Sequence, residues 1–444
     1  MSDYRAKIRM YRHGLGDCHL VRLKREGQDD YTILVDCGVI LGTSNAKAQI
    51  AKVMADIQKE TGGRIDLLVV THAHGDHVSG FIQAEAEFRA LTIGKVWMAW
   101  TEDPDDEFAK SLLSERNKAK DVLEAAENRM RFAGAGEEAD ELAGIMGFFN
   151  AGKGPRTTED AVQVARELAK DGKPPVYCRP GDAPYRPEGV AARLMVLGPP
   201  RDEALIRKST PSGRNPETYE AAGYPMFMNQ LGPLAPESAG GPFSSLEEIP
   251  FDTAKTLPFF RGHYWTGSAA DDDWRRIDDV WLGSAVDLAL KLDSDTNNTS
   301  LVFAIELDGE SVSGQPGRDV LLFAADAQVG NWLSWANVAW EAPEGEDPVG
   351  GLDLVRRTIV YKVGHHGSHN ATLRTSLESM ERLLVALNPV DEVMAQKKRW
   401  DHIPLPSLEA ALKKQAKEGL VRADQPPPAS ARITDDPLFY EVAI

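Results

Sequence analysis

Hydrophobic and polar positions alternate in short blocks at the start of the chain. Ala6–Tyr11 alternates, His19–Leu23 (HLVRL) alternates again, and Tyr31–Val35 (YTILV) is an apolar run ending at Asp36-Cys37-Gly38. Turn signals at Gly14–Asp17 and Gly27–Asp30 separate these blocks, which predicts three strands in an antiparallel meander. The period then lengthens. Ile50, Val53, Met54 and Ile57 recur on one face, which predicts a helix over Asn45–Thr61 stopped by Gly62-Gly63. Ile65–Val70 (IDLLVV) is apolar without alternation, as suits a strand covered on both faces.

From Trp97 to about Lys173 the pattern turns helical. Phe108–Phe132 is charged and alanine-rich, and Thr158–Lys170 opens on a capping residue, so 100–190 reads as a helical insertion in a strand scaffold. Arg193–Leu197 returns to strand and stops at Gly198-Pro199-Pro200. A second insertion, irregular or lid-like, is expected over 200–295. Its core, Pro211–Pro258, is rich in Gly, Pro and Ser, and a helix over Asp273–Lys291 closes it. Ser300–Glu306, Asp319–Ala324 and Thr358–Val363 then predict a second strand-rich half. Helices are expected at Leu373–Leu387 and Ser407–Lys417, and a last strand at Leu438–Val442. No repeat recurs at a fixed period, and the whole of 1–444 reads as one domain carrying the two insertions.

Composition excludes several classes. With 42% hydrophobic and 27% charged residues the chain is neither disordered nor fibrous. No apolar run approaches the ~20 residues that span a bilayer, and the first residues lack the apolar core of a secretory signal. Cytoplasmic residence is the default expectation. Cys18, Cys37 and Cys178 lack the spacing of a zinc knuckle and suit buried apolar positions. A formal net charge of −18 repels phosphate backbones, which disfavours long duplex nucleic acid. A small phosphorylated substrate or a short oligonucleotide remains compatible. Lys397-Lys398-Arg399 is a local basic patch for it, although a run this short is ordinarily a solvated face.

The chemistry is concentrated after the strand Ile65–Val70, in Thr71-His72-Ala73-His74-Gly75-Asp76-His77. Residues two apart on extended chain point the same way, so His72 and His74 can address one ion. A turn at Gly75 lets Asp76 and His77 face a second position. Imidazole and carboxylate together suit zinc, with manganese or iron as alternatives. A histidine-rich turn held by ordinary hydrogen bonds is the competing reading, and four ligand-type side chains packed behind a buried strand weigh heavily against it.

This segment resembles the HxHxDH motif of the metallo-β-lactamase superfamily. Gly14-Leu15-Gly16-Asp17-Cys18, followed by Ile33–Gly38, resembles the GxGD…LIDxG entry of the branch that includes the hydrolase domain of DNA-uptake competence proteins. Asn297–Val302 is similar to that branch's NxxSLV strand, Leu321–Ala327 to its LLxxGD segment, and Lys362–Ser368 to its KxxHHGS segment. The resemblance covers the two strand-rich halves and not the insertions. It implies an α+β fold, an αββα sandwich of two mixed sheets flanked by helices. It implies a metal centre of His72, His74, Asp76, His77, Asp326 and one of His365 and His366, with Asp326 bridging two ions and Asp36 and Ser368 supporting the ligands from behind. One or two zinc ions are expected.

Two positions depart from the family's pattern. Ala325 stands where glycine is frequent, which should be tolerated. The family also brings a further histidine to the first ion from mid-chain, and here Gly198 occupies the expected place. Either His263 swings in from the second insertion, or His72, His74 and Asp326 alone hold that ion. His13, His19 and His402 are read as structural, and His369 as a residue at the pocket mouth.

The function that follows is metal-dependent hydrolysis of a phosphodiester or other phosphoester bond by metal-activated hydroxide, with Asp76, His365 and His366 closest to the reaction. Hydrolysis of a lactone, thioester or β-lactam-like bond is the alternative within enzymes. A metal-binding regulatory module with an incomplete site is the alternative outside them. Trp265, Trp274 and Trp281 could offer stacking surfaces, though core packing is the commoner use of tryptophan.

Overall fold

The computed structural model of the protein describes residues 4–132, 136–149, 156–212, 216–219, 249, 251–265, 280–341, 348–398, 400 and 403–444. The initial meander forms as its alternation predicts: β1 (Ala6–Tyr11), β2 (His19–Leu23) and β3 (Tyr31–Val35) pair antiparallel in turn. α1 (Ala46–Thr61) buries Ile50, Val53, Met54 and Ile57 and ends at a left-handed Gly62. β4 (Arg64–Val70) then joins β3 in parallel, followed by α2 (Gly75–Gln83) and α3 (Glu85–Ala90). β5 (Thr92–Ala99) extends the parallel run.

Three helices follow: α4 (Glu107–Phe132), α5 (Gly136–Met146) and α6 (Thr158–Arg166). In α6 the capping residue is Thr157, whose side chain accepts from Asp160 N while Asp160 answers to the Thr157 backbone. β6 (Val176–Cys178) returns to β5.

The second sheet is built from β7 (Ala192–Gly198), β8 (Val302–Leu307) and β9 (Asp319–Phe323). After a small hairpin of β10 (Ala339–Trp340) and β11 (Val349–Gly350), it gains β12 (Thr358–Lys362), β13 (Val385–Asn388) and β14 (Gly419–Arg422). β15 (Ile433–Asp435) and β16 (Phe439–Ala443) carry the chain end back to β1. The strand orders are β15-β16-β1-β2-β3-β4-β5-β6 and β14-β13-β12-β9-β8-β7.

The sheets pack face to face. Ile8, Val21, Ile33, Leu67 and Val69 of the first meet Leu194, Phe303, Leu321 and Val385 of the second in one buried cluster. The opposite faces are covered by helices: Leu34 and Leu68 by Ile50, Val53 and Phe81, and Leu322 and Tyr361 by Trp332, Leu377 and Leu408. Leu67 and Val69 of β4 therefore point between the sheets while Ile65, Leu68 and Val70 point toward the helices, which is why its sequence is apolar without alternation. The result is an α+β fold, helix–sheet–sheet–helix.

Several element boundaries differ from the pattern-based expectation. The helix expected over Leu373–Leu387 is only Arg374–Ser379, and its last residues belong to β13. A buried four-residue parallel strand carries too few positions to separate period 2 from 3.6. β6 lies inside the 100–190 segment read as a helical insertion, and β5, which runs up to that segment, is disguised by Gly94 and Lys95 in mid-strand. The helix closing the second insertion runs over Val280–Asn298. The expected start of that helix, Trp274, the Trp281 side chain, Arg399, His402 and most of 211–258 lie outside the described residues.

By its internal contacts the chain divides into two compact units. One comprises Met1–Leu113, Gly147–Gly223 and Ser294–Ile444, and contains both sheets; the other comprises Ser114–Met146 and Tyr224–Asp293. The smaller unit draws its chain from within the two segments read as insertions. It buries Leu123, Met130 and Leu142 and includes the short helices Phe251–Thr256 and Pro258–His263. Among the described residues no helix is long and apolar enough to cross a membrane.

Candidate metal centre

β3 and β4 run parallel, and so do β9 and β12. The carboxyl ends of such strands are where a sheet leaves a crevice. Each end here delivers one component: Asp36 after β3, His72–His77 after β4, Asp326 after β9, and His365–His366 after β12. β8 is antiparallel to β9, so its amino end reaches the same edge and brings Asn297 with it.

One group is rich in carboxylates. Asp76 and His77 occupy the first turn of α2, whose amino end favours negative charge and aims Asp76 into the centre. The ligand atoms of Asp76, His77, Asp326 and His366 all lie within 4.8 Å of one another, and all four residues are buried. His366 Nε2 is 2.8 Å from Asp76 Oδ2, and His77 Nε2 is 3.2 Å from Asp326 Oδ2. Among the described residues, Asp76 Oδ1 is buried with no hydrogen-bond partner, and His77 Nε2 and Asp326 Oδ2 face each other as an ion pair without a well-aligned hydrogen bond. Orphaned atoms of this kind, converging from two carboxylates and an imidazole, are what a divalent cation would satisfy.

Charge is balanced around that group. Burial opposes ionisation of Asp326, but His77 and Lys362 outweigh it and hold the carboxyl well below its usual range. Asp76 is lowered likewise, by His77 and its bond from His366. Burial works against charging His77 and His366 too; the surrounding carboxylates prevail and raise both. Lys362 Nζ sits 2.5 Å from Asp17 Oδ2 and 3.2 Å from Asp326 Oδ1, and also donates to Ala325 O. Asp326 Oδ1 accepts from His365 N as well, so Oδ2 is the oxygen left facing the centre.

The other group is neutral. His72 Nε2 lies 3.2 Å from His74 Nδ1 and 3.1 Å from Asn297 Oδ1, and Asn297 Nδ2 is 3.4 Å from His365 Nε2. Burial lowers the pKa of His72 and His74 strongly and that of His365 to about 4, so these rings are uncharged at neutral pH. A metal requires its imidazole ligands in this neutral form. Phe148 and Phe149 close against His74, with ring centroids 5.2 and 5.1 Å away, and Phe148 stacks on Trp400 at 4.5 Å.

Asp36 ties both groups together. Its Oδ1 accepts from Thr71 N, and its Oδ2 accepts from Thr71 Oγ1 and from His77 Nδ1 at 2.8 Å. Gly38 makes this closeness possible: a Cβ there would lie 2.5 Å from backbone atoms of Asp76 and His77. Of the six non-glycine residues with positive φ among the described residues, four are Asp36, Ala325, His365 and His366. Backbone strain is thus concentrated where the side chains must converge.

The structure gathers His72, His74, Asp76, His77, Asp326, His365 and His366 at one place, with Asp36 and Ser368 beside them. The two adjacent histidines diverge: His366 joins the carboxylate group, while His365 turns to Asn297 and holds Ser368 Oγ at 2.9 Å from its Nδ1. His263 belongs to the smaller unit, where it is exposed, stacks on Phe259 and has Nδ1 2.7 Å from Phe259 O. Neither metal-capable group among the described residues, Asp76-His77-Asp326-His366 or Asp17-Asp36-His77, includes it. His13 and His19 are buried; His13 bonds Tyr11 O and Gly38 O, and His19 packs its ring edgewise on Phe323.

Sequence reasoning gave no role to Lys362, Asp17 or Asn297. All three lie inside segments that resemble the family, but an aspartate or asparagine in a turn, or a lysine at the end of a strand, carries no signal of its own. At Gly198 a Cβ would sit 2.0 Å from Asn331 Oδ1, so no side chain fits there. Asn331 instead donates to Asn298 O and Ser300 O, bracing the turn that carries Asn297.

The family model of the metallo-beta-lactamase superfamily matches residues 12–155. The match contains Asp36 and the His72–His77 segment, while Asn297, Asp326 and His365–His366 lie beyond it. It implies a metal-dependent hydrolase in general terms. Among curated proteins, none matches the chain.

Proposed function

We propose that the protein is a metal-dependent hydrolase of a phosphodiester or other phosphoester bond in a small phosphorylated substrate or short oligonucleotide. The observation that carries the hydrolase reading is the buried convergence of Asp76, His77, Asp326 and His366, three of whose polar atoms lack a hydrogen bond among the described residues. A divalent ion held there, zinc or alternatively manganese or iron, supplies Lewis acidity toward a phosphoryl or acyl oxygen and lowers the pKa of water from about 15.7 toward neutrality.

The chain's own groups set the rest. Lys362 neutralises Asp17 and the far oxygen of Asp326, so that only Oδ2 is presented. His366 holds Asp76 Oδ2 and leaves Oδ1 facing the centre. Phe148, Phe149 and Trp400 exclude water on the side of His74.

A phosphoester is favoured over a lactone, thioester or β-lactam-like bond by Lys398. Its ammonium is half-buried, which lowers its pKa, and no carboxylate pairs with it among the described residues. It lies near Gly147, next in sequence to Phe148, so an anionic group at this wall would complete its coordination. The acidic chain as a whole supports a small anion over long duplex nucleic acid, which would bring many phosphates against a net charge of −18.

The test is hydrolysis of a generic phosphodiester, a lactone and a thioester by the metal-loaded full chain, beside its Asp326→Ala variant. The expected result is preference for the phosphodiester and a loss on the order of 10³-fold in the variant, about 4 kcal/mol of transition-state stabilisation. Preference for the lactone or thioester would replace the substrate class. Activity unchanged by Asp326→Ala would overturn the metal mechanism.

A further inference from the structure

We propose that the side-chain amide oxygen of Asn297 is the third ligand of the first metal position, beside His72 Nε2 and His74 Nδ1. The proposal rests on the reading of this centre as a metal site and adds the residue that fills the place left by Gly198.

The argument follows the protons. Thr71 Oγ1 donates its single proton to Asp36 Oδ2, at 2.7 Å. The 3.1 Å contact of Thr71 Oγ1 with His72 Nδ1 is therefore donated by the imidazole. Neutral His72 then carries a lone pair on Nε2. On the other side, Asn370 Nδ2 donates to Ser209 O, so its Oδ1 accepts from Ser368 Oγ at 2.9 Å. With its proton committed, Ser368 Oγ accepts from His365 Nδ1, also at 2.9 Å. His365 Nε2 is consequently an acceptor, filled by Asn297 Nδ2. That fixes the amide: Oδ1 faces His72 Nε2.

Two lone pairs thus face each other at 3.1 Å, in a place where Asn297 and His72 are both buried. A second imidazole nitrogen, His74 Nδ1, is 3.2 Å from the first. A proton on His74 Nδ1 would serve His72 Nε2 but leave the Asn297 oxygen facing that nitrogen with its lone pair, whereas a cation shared by all three atoms serves each of them. A metal ion reconciles them, since imidazole nitrogen and amide oxygen both coordinate divalent cations.

The turn is built to hold this oxygen in place. Asn298 Nδ2 donates to the backbone oxygens of Leu205 and Ile206, and Asn298 Oδ1 accepts from Asn331 N. Asn331 also donates to Asn298 O and Ser300 O, and Gly198 leaves the room for it. The glycine that removes a histidine from β7 therefore makes space for the asparagine that secures the replacement.

An uncharged amide oxygen is a weaker donor to zinc than imidazole, so the first position should fill after the carboxylate-rich one. The experiment is titration of the metal-free full chain with Co²⁺, read by calorimetry and by the visible absorption of the bound ion, with no substrate present. The wild type is expected to bind two ions at separable affinities. Asn297→Ala should weaken the second binding event at least tenfold and leave the first unchanged. Asn297→Asp keeps the size and adds charge, and should tighten that second event; it also decides the matter if the alanine variant does not fold. Asn297→His should shift the cobalt spectrum toward greater nitrogen coordination. Two unchanged events in Asn297→Ala, or in Asn297→Asp, would overturn the assignment, as would binding of a single ion by the wild type. These readouts do not depend on which ester is cleaved, so failure on phosphodiesters would leave them standing.

Discussion

The two halves of the metal centre are built on opposite electrostatic plans. Around His366 the protein buries Asp76 and Asp326 with His77, and adds Asp17 and Lys362 behind them; charges there come in opposed pairs. Around His72 the hydrogen-bonding partners on the other side are neutral: His74 and Asn297, with His365 beyond the amide. Burial, reinforced by neighbouring imidazoles, pushes this second set toward neutrality, whereas neighbouring carboxylates overturn burial in the first. The carboxylate side is thus a pre-charged cation trap that carries a cost while empty. The imidazole–amide side has shape without net charge, and an ion held there would find no carboxylate among these three side chains. The two sides would therefore hold a cation for different reasons.

Substitutions can break or sharpen this contrast. The largest effect is expected at Lys362, whose ammonium is the fixed cation of the charged side. Lys362→Met leaves Asp17 and Asp326 buried without it and should destabilise the metal-free protein by roughly 3–5 kcal/mol. A divalent ion supplies the missing charge, so added metal should raise the unfolding temperature of this variant more than that of the wild type. Equal metal-induced shifts in the two proteins, measured by thermal unfolding, would show that Lys362 is not part of the charge balance.

Asp36 comes next, because it supports both sides through Thr71 and His77. Asp36→Asn should weaken metal binding about 10–100-fold, the usual reach of a residue behind the ligands. Competition with a chelator reads this directly, and both binding events should move together. If only one moves, the two sides are less coupled than the shared carboxylate implies.

The smallest effect belongs to Ala325, held at φ +47° between β9 and Asp326. A left-handed backbone costs an alanine ~1–2 kcal/mol, partly offset in glycine by a larger loss of freedom on folding. Ala325→Gly should therefore stabilise the chain by up to about 1 kcal/mol in denaturant unfolding, with metal affinity unchanged. Destabilisation would mean that the Ala325 methyl packs better than its dihedral suggests.

Much of this site is legible in the chain because its densest part is local. His72, His74, Asp76 and His77 fall at a strand end and in the first turn of a helix, so the apolar run of Ile65–Val70 and the turn at Gly75 place them without tertiary information. The strands β1 to β4 were equally readable, each with enough positions to declare its period. β5, β13 and the start of β8 were not, since a glycine–lysine pair, a four-residue length and a polar turn hide them.

What the sequence determined by itself was the chemistry: which imidazoles and carboxylates are available, and that they follow buried parallel strands. What only the tertiary structure decided was their pairing. It sent His366 to Asp76, which lies 290 residues away in the chain, and turned His365 to Asn297. It also set Asn331 where Gly198 left room, and so held Asn297 against His72 across 225 residues. Spacing along a chain constrains residues that share a turn. Residues on different strands meet only through the register of the sheets, and that register is fixed by the packing of the core between them.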